Sequence, residues 1–329
     1  MRIAAMAAGG VGGYYGAKLA AAGHDVFFIA RGAHKAAIEA NGLKVESVNG
    51  DIHIAKANVT DDPATIGPVD VVLFAVKLWD TEKAAEACRP LLGPNTRVIT
   101  MQNGVDSYER IAPIVGAERA VPAVTYVVTV IDRPGVIKQD SKFQSIICGA
   151  HDDRPDAPLK AFVEAAKAAK IDITLSDNIE RDRWHKFIFL TATSGATAVT
   201  RSPMGPILAD PDTRALFHNI MRETLKVGQA KGVKLAEGGT DLALKEIAKA
   251  YQPPAGTMLA YPPFAPTDTV SLTATGGDYA AFELSTKGVA PLKFTSTDFE
   301  LDKDKALELT WDAAPDPKAI LATYADIGQ

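Results

Sequence analysis

Only two cysteines occur in the 329 residues. Cys88 and Cys148 lie far apart, without the spacing of a metal knuckle or a redox pair. This excludes a disulfide framework and reads as free thiols in a reducing, cytoplasmic compartment. The six histidines (His24, His34, His53, His151, His185 and His218) form no ligand cluster along the chain, so no metal is expected. No apolar run reaches the ~18–20 residues that a helical membrane span needs. Basic residues are scattered, and the net charge of −5 with a pI near 5.7 argues against a nucleic-acid surface. No internal repeat is evident. What remains is a soluble globular composition, 47% hydrophobic and 23% charged, long enough for two domains.

The first thirty-one residues are the most informative. A short apolar run, Ile3 to Met6, breaks into the glycines Gly9, Gly10, Gly12, Gly13 and Gly16. A helical pattern follows over Tyr14 to Ala22. After a Gly-His-Asp turn, a second apolar run, Val26 to Ile29, leads to Arg31. This is strand, loop, helix, strand. Glycines let the backbone approach a pyrophosphate, whose charge suits the free N–H groups and positive dipole end of the helix behind it. The usual G-x-G-x-x-G fingerprint is A-x-G-x-x-G here, across Ala7, Gly9 and Gly12, with Gly10 and Val11 inside the loop. A secretory signal peptide is excluded, because the glycines interrupt the apolar stretch. At the tip of the second strand an acid would bond a ribose 2′-hydroxyl, whereas Arg31 can pair with a 2′-phosphate. The stretch therefore predicts an NADP(H) site.

Strand–helix alternation continues. Helices are expected over Ala33–Ala40 and Thr81–Arg89. Strands are expected over Leu43–Val48, Ile52–Ala55, Val69–Val76 and Arg97–Met101, giving an α/β, Rossmann-type doubly wound sheet with one hairpin. Ala123–Ile131, Gly135–Lys138 and Phe143–Cys148 read as antiparallel additions at its far edge. Helix Pro158–Ala169 and strand Ile171–Leu175 complete a first domain, residues 1–176. A helical domain follows over 177–258. It contains Arg183–Thr200, apolar nearly all round and then small-residued, and Asp210–Lys231 with Pro211 in its first turn. Tyr251 to Pro266 is proline-rich. Beyond it, residues 259–329 read as short strands (Thr269–Thr273, Tyr279–Leu284, Leu292–Thr295, Phe299–Leu301 and Leu307–Trp311).

Ligands of open α/β sheets sit at the carboxyl ends of the strands. Arg31, Lys77 and Asn103 each follow such an end. Arg31 is assigned to the 2′-phosphate, Lys77 to another part of the cofactor, and Asn103 to nicotinamide or substrate. For each of the last two the plainer alternative is a solvated loop residue. Lys186, within Arg183-Trp184-His185-Lys186-Phe187, has two readings. Its stem covers apolar surface with the ammonium in water, or it is a general acid in a cleft, its pKa lowered by desolvation.

In order and spacing, the glycine loop, Arg31-Gly32, Val76-Lys77, Gln102-Asn103-Gly104 and Trp184-His185-Lys186-Phe187 resemble the ketopantoate reductases (2-dehydropantoate 2-reductases) over roughly residues 1–235. The resemblance implies a Rossmann domain followed by a helical domain, with the active site between them. It further implies NADPH-dependent reduction of a 2-oxo acid to a 2-hydroxy acid, as in pantothenate biosynthesis. Lys186 would protonate the developing alkoxide, and Asn103 would orient substrate and nicotinamide. Well-studied family members carry asparagines four and eight residues after the lysine. Here Leu190 and Ser194 stand at these substrate-binding positions, which makes one pocket wall less polar. Pro254-Ala255-Gly256-Thr257-Met258 is similar to the lead-in to the family's later Ser and Glu, but the pattern expected next is absent. Residues 259–329 depart from the family's helical ending, either as a β-module capping the cleft or as an abrupt change of sequence. A reductase of another 2-oxo acid and a non-catalytic NADP(H) sensor are the competing functions; a homodimer is left open.

Overall fold

A computed structural model describes residues 1–151 and 156–236, and the backbone of 269–274 and 282–287. The chain divides into two compact units, Met1–Gln252 and Pro253–Gln329. In the first, six strands run parallel in the order β8-β7-β6-β1-β2-β5. They are β1 (Arg2–Met6), β2 (Asp25–Ile29), β5 (Asn58–Thr60), β6 (Val69–Phe74), β7 (Leu92–Thr100) and β8 (Ala120–Arg133). Successive side chains of a strand point to opposite faces, so each central strand feeds two cores. Ile3, Ala5, Val71 and Leu73 pack with Tyr14, Tyr15 and Leu19 of α1 (Gly10–Ala21) and with Leu159 and Phe162 of α5 (Ala157–Ala168). Ala4, Met6, Val72 and Phe74 pack with Ala84 and Ala85 of α3 (Thr81–Ala87) and Ile111 and Val115 of α4 (Ser107–Val115).

Past β8 the sheet changes direction. β8 is long enough to serve two ladders. Ala120–Pro122 pairs parallel with β7, and Ala123–Arg133 pairs antiparallel with β9 (Val136–Cys148). The two separate strands expected at Gly135–Lys138 and Phe143–Cys148 are therefore one. The register shifts between Val127 and Thr129, where Gln144 and then Gln139 are the partners, and the residues between those two bulge out. The expected hairpin, β3 (Leu43–Ser47) with β4 (Ile52–Ile54), lies beyond β9. β10 (Asp172–Leu175) pairs with the other end of β9. α2 spans Gly32–Asn41. Three elements escaped the sequence reading: β5, the short helix Met204–Ala209, and α4, which carries Pro113 inside it.

The first helix of the helical part begins four residues earlier than the expected Arg183. α6 runs from Ile179 to Thr200, and the Asn178 side chain accepts from the Arg181 N–H at 3.0 Å as its N-cap. It packs on α8 (Pro211–Ala230), capped by Asp210, with the short α7 (Met204–Ala209) alongside. Trp184, Ile188, Ala192 and Ala196 recur every four residues and face this core with Phe217, Met221 and Leu225. Gly228 admits the indole, since a Cβ there would meet Trp184 at 2.7 Å. The expectation that α6 is buried nearly all round is corrected. Ser194 is exposed and Leu190 half-buried, because one stripe of the helix faces away from α8.

The expectation of a β-rich C-terminal segment is not borne out. Described there is one antiparallel pair, β11 (Thr269–Ala274) with β12 (Phe282–Lys287). The strands expected at Leu292–Thr295, Phe299–Leu301 and Leu307–Trp311, and the Pro254–Met258 segment, lie outside the described residues. Among the described residues no helix is long and apolar enough to cross a membrane. Cys88 and Cys148 are free and buried, and burial pushes both thiols up to about 12.

Candidate active site

A cavity of about 460 Å³ opens at the carboxyl ends of β1, β2, β6 and β7. Its floor is the glycine loop. Ala7, Gly9, Gly10 and Val11 line it, and α1 starts at Gly10 with Gly9 as an N-cap that supplies no side-chain bond. The first-turn N–H groups therefore remain available to an anion. The glycines act differently. A Cβ on Gly9 would meet nothing within 4 Å, so this part of the loop faces open space. A Cβ on Gly12 would lie 2.1 Å from the Ala7 carbonyl oxygen, and Gly12 is buried beneath the loop. The tight turn thus depends on Gly12, while Ala7 fits where the fingerprint usually has glycine.

Arg31, at the end of β2, and Lys77, just after β6, both line the cavity and are both exposed. Neither has a side-chain partner among the described residues. Gln102 joins the strand ends beneath them. Its amide nitrogen donates to the Val76 carbonyl at 3.1 Å and to Thr81 Oγ1 at 2.8 Å, while its own Oε1 is buried without a partner. Asn103 follows it at the rim.

Lys186 reaches this cavity from α6. Its Nζ donates to Asn103 Oδ1 at 2.7 Å and to the Thr125 carbonyl at 2.6 Å, and lies 5.5 Å from the centre of the Tyr126 ring. Because ammonium only donates, the Asn103 atom facing it is the oxygen, which leaves the Asn103 NH2 free for another acceptor. Both partners are neutral oxygens. Burial lowers the Lys186 pKa to about 8, as desolvation disfavours the charged form. The solvated-stem reading of Lys186 does not match this position. One turn before it, the Arg183 guanidinium, 2% exposed, fixes the helix. It donates to Glu180 at 2.8 Å and to the Val105 carbonyl, and lies 3.4 Å from Glu109. α6 is thereby tied to the loop after β7 that carries Asn103.

The structure brings Ala7, Gly9, Gly10, Val11, Arg31, Lys77, Asn103 and Lys186 around one cavity. It does not bring Leu190 and Ser194 into that wall. They lie one and two turns beyond Lys186, on the side of α6 that residues four apart share. Sequence reasoning missed Thr125, Val127, Thr129 and Ile131, which line the cavity from alternate positions of β8. The run Thr125–Ile131 (TYVVTVI) has no polar–apolar alternation that would have signalled this. Glu109, His151 and Glu180 also come within 4.8 Å of one another, a grouping invisible in the linear spacing. Arg183 already faces both carboxylates.

The family model described as "Ketopantoate reductase PanE/ApbA" matches residues 3–153, and that described as "Ketopantoate reductase PanE/ApbA C terminal" matches 178–260. Similarity thus extends past the residue 235 expected from motifs. A 2-dehydropantoate 2-reductase of Mesorhizobium japonicum is 30% identical over 259 residues, covering 72% of this chain and 79% of the relative. An uncharacterized oxidoreductase of Bacillus subtilis, YkpB, is 29% identical, covering 71% of this chain and 76% of its own length. The crystal structure of 2-dehydropantoate 2-reductase from Porphyromonas gingivalis superposes with a TM-score of 0.71 at 30% identity, covering 76% of this chain and 88% of that one.

Proposed function

Since the chain belongs to the ketopantoate reductase family, oxidoreductases that act on 2-oxo acids with a nicotinamide cofactor, we propose that it reduces 2-dehydropantoate (ketopantoate) to pantoate with NADPH. The observation that carries this is the Lys186 ammonium, held by Asn103 and Thr125 in the wall of the cavity that the glycine loop floors. A nucleotide sensor has no need of a desolvated lysine at that place. The residues suit the dinucleotide. The uncapped start of α1, with Ala7, Gly9, Gly10 and Val11, would hold the pyrophosphate over Gly12. Arg31 would take the 2′-phosphate and Lys77 a further polar group of the cofactor. Bound there, the nicotinamide would supply hydride to the ketone carbon.

The chain's own part is the proton. Two of the three Lys186 N–H groups are engaged, which leaves one for the ketone oxygen. As negative charge develops on that oxygen, Nζ stabilises it and then gives up its proton, producing the 2-hydroxy acid. The Asn103 NH2 is free to orient the substrate. With a pKa near 8, Lys186 is largely charged at neutral pH yet a better acid than a solvated lysine. The reductive rate should be flat below about pH 8 and fall about tenfold per unit above it, as the acid form disappears. A profile of kcat/KM for the 2-oxo acid that stays flat to about pH 10 contradicts this assignment.

A second reading, reduction of a different 2-oxo acid, is favoured by one feature. Leu190 and Ser194 lie outside the cavity lining, one and two turns beyond Lys186 on α6, so a substrate whose tail runs out of the cavity along that helix face would meet an apolar side chain, which suits a branched apolar tail. Substituting Leu190→Asn should shift preference toward ketopantoate by roughly 1–3 kcal/mol, the scale of a hydrogen bond to a buried or charged group. The comparison needs kcat/KM in both proteins for ketopantoate and for its analogue lacking the hydroxyl. A wild-type protein that already favours ketopantoate by several orders of magnitude refutes the reading of Leu190. The function itself is tested by following NADPH oxidation across a panel of 2-oxo acids. Turnover of at least one supports it, with ketopantoate the expected leader, whereas NADPH binding without oxidation points to a sensor.

A further inference from the structure

His34 lies one turn into α2, half-buried, three residues beyond Arg31. Both ring nitrogens are engaged. The Gly135 backbone N–H donates to Nδ1 at 3.0 Å, and Nε2 lies 3.0 Å from the Ala8 carbonyl oxygen. An amide N–H can only donate and a carbonyl can only accept, so Nδ1 carries no proton and Nε2 carries one. The ring is a neutral bridge of defined tautomer.

What it bridges bears on the cavity. Ala8 sits in the glycine loop between Ala7 and Gly9, and its peptide groups are held on both sides. Its N–H donates to the Ile29 carbonyl at 2.8 Å, and its carbonyl accepts from His34. The loop is thereby fastened to the end of β2 and the start of α2. Gly135 is the turn between β8 and β9, with φ of +81°, a conformation that favours glycine. It packs on α2, where a Cβ would meet that of Ala37 at 3.1 Å, and its carbonyl accepts from the Lys44 N–H at 3.0 Å. β8, which this turn closes, lines the cavity with Val127, Thr129 and Ile131. Gly10 itself is covered by that strand, since a Cβ there would lie 2.7 Å from the Thr129 carbonyl oxygen.

We propose that His34 is a positioning residue for the dinucleotide, its neutral imidazole locking the glycine loop to the β8–β9 turn so that floor and cover of the cavity keep a fixed spacing. The inference rests on the reading of this cavity as the cofactor site. His34 also lines the cavity, but with both ring nitrogens used within the chain it offers the 2′-phosphate no free donor and acts through the loop. Its loss should weaken NADPH and NADH by the same factor, unlike the loss of Arg31.

The test compares His34→Phe, which keeps a ring without donor or acceptor, with His34→Gln, which keeps both kinds of group. Affinities for NADPH and NADH are measured by fluorescence titration and paired with steady-state kinetics. His34→Phe should raise the dissociation constants of both cofactors, and KM for NADPH, roughly tenfold or more, consistent with two lost hydrogen bonds. kcat should fall much less. His34→Gln should recover most of the affinity. His34→Asn, too short to span both partners, should fall between them and serves if the Phe variant does not fold. Wild-type affinity in the Phe or Asn variant overturns the proposal, as does a loss confined to NADPH. A wild-type protein that binds neither cofactor instead refutes the reading of the cavity itself.

Discussion

Lys186→Ala should lower kcat by about 10²–10⁴-fold, the usual loss when a positioned acid is removed. The ammonium is half of a partly buried arrangement whose other half, Asn103 Oδ1 and the Thr125 carbonyl, consists only of acceptors. Of these three groups only the ammonium can give up a proton to the ketone oxygen. NADPH affinity should change little, because the glycine loop and Arg31 lie at the other strand ends. The combination separates a catalytic loss from a folding defect, and it is read by pairing a fluorescence titration of NADPH with steady-state kinetics. Near-normal turnover in the alanine variant would remove Lys186 from the chemistry. Lys186→Arg is a sharper control. A guanidinium retains charge and donors but holds its proton too tightly to act as the acid, so it should remain slow.

Arg31→Ala should weaken NADPH by about 10- to 100-fold and NADH by far less, on the scale of hydrogen bonds to charged groups. Arg31 is exposed and has no partner among the described residues, so its guanidinium is free to meet a phosphate as a fork. Exposure also makes the interaction sensitive to salt. The preference of the wild-type protein for NADPH should narrow as ionic strength rises, while that of the variant should not. Equal losses for the two cofactors would place the 2′-phosphate elsewhere on the protein.

The parts of this site that could be read from the sequence are those whose chemistry is local. The glycine loop announces itself because strand, glycines and helix are contiguous. Arg31 and Lys77 stand out because each follows an apolar run directly, and Asn103 because it lies one residue beyond another. The parts that could not be read depend on what the chain brings together at a distance. Thr125 contributes a backbone carbonyl, which no side-chain pattern signals. His34 works through Ala8 and Gly135, one on either side of it in sequence and more than a hundred residues away in the latter case. β9 looked like two strands because the bulge interrupts its alternation, and Gln139 holds that bulge by donating to the Phe143 carbonyl at 3.1 Å. α4 was hidden by Pro113, which reads locally as a helix breaker. Arg183, in turn, looks like one charge among several in Glu180–Lys186, and only burial against the loop after β7 reveals it as the residue that orients α6.

The most direct test of the account is isotopic. NADPH carrying deuterium on one face of the reactive nicotinamide carbon, and separately on the other, is incubated with the enzyme and ketopantoate, and the hydroxy acid product is weighed by mass spectrometry. The account predicts that one of the two labelled cofactors, and only one, delivers a single deuterium to C2 of the product, and that Lys186→Ala slows formation of that same product without changing which face is used. Product with no deuterium from either cofactor, or bound NADPH that is never consumed with any 2-oxo acid, would contradict it.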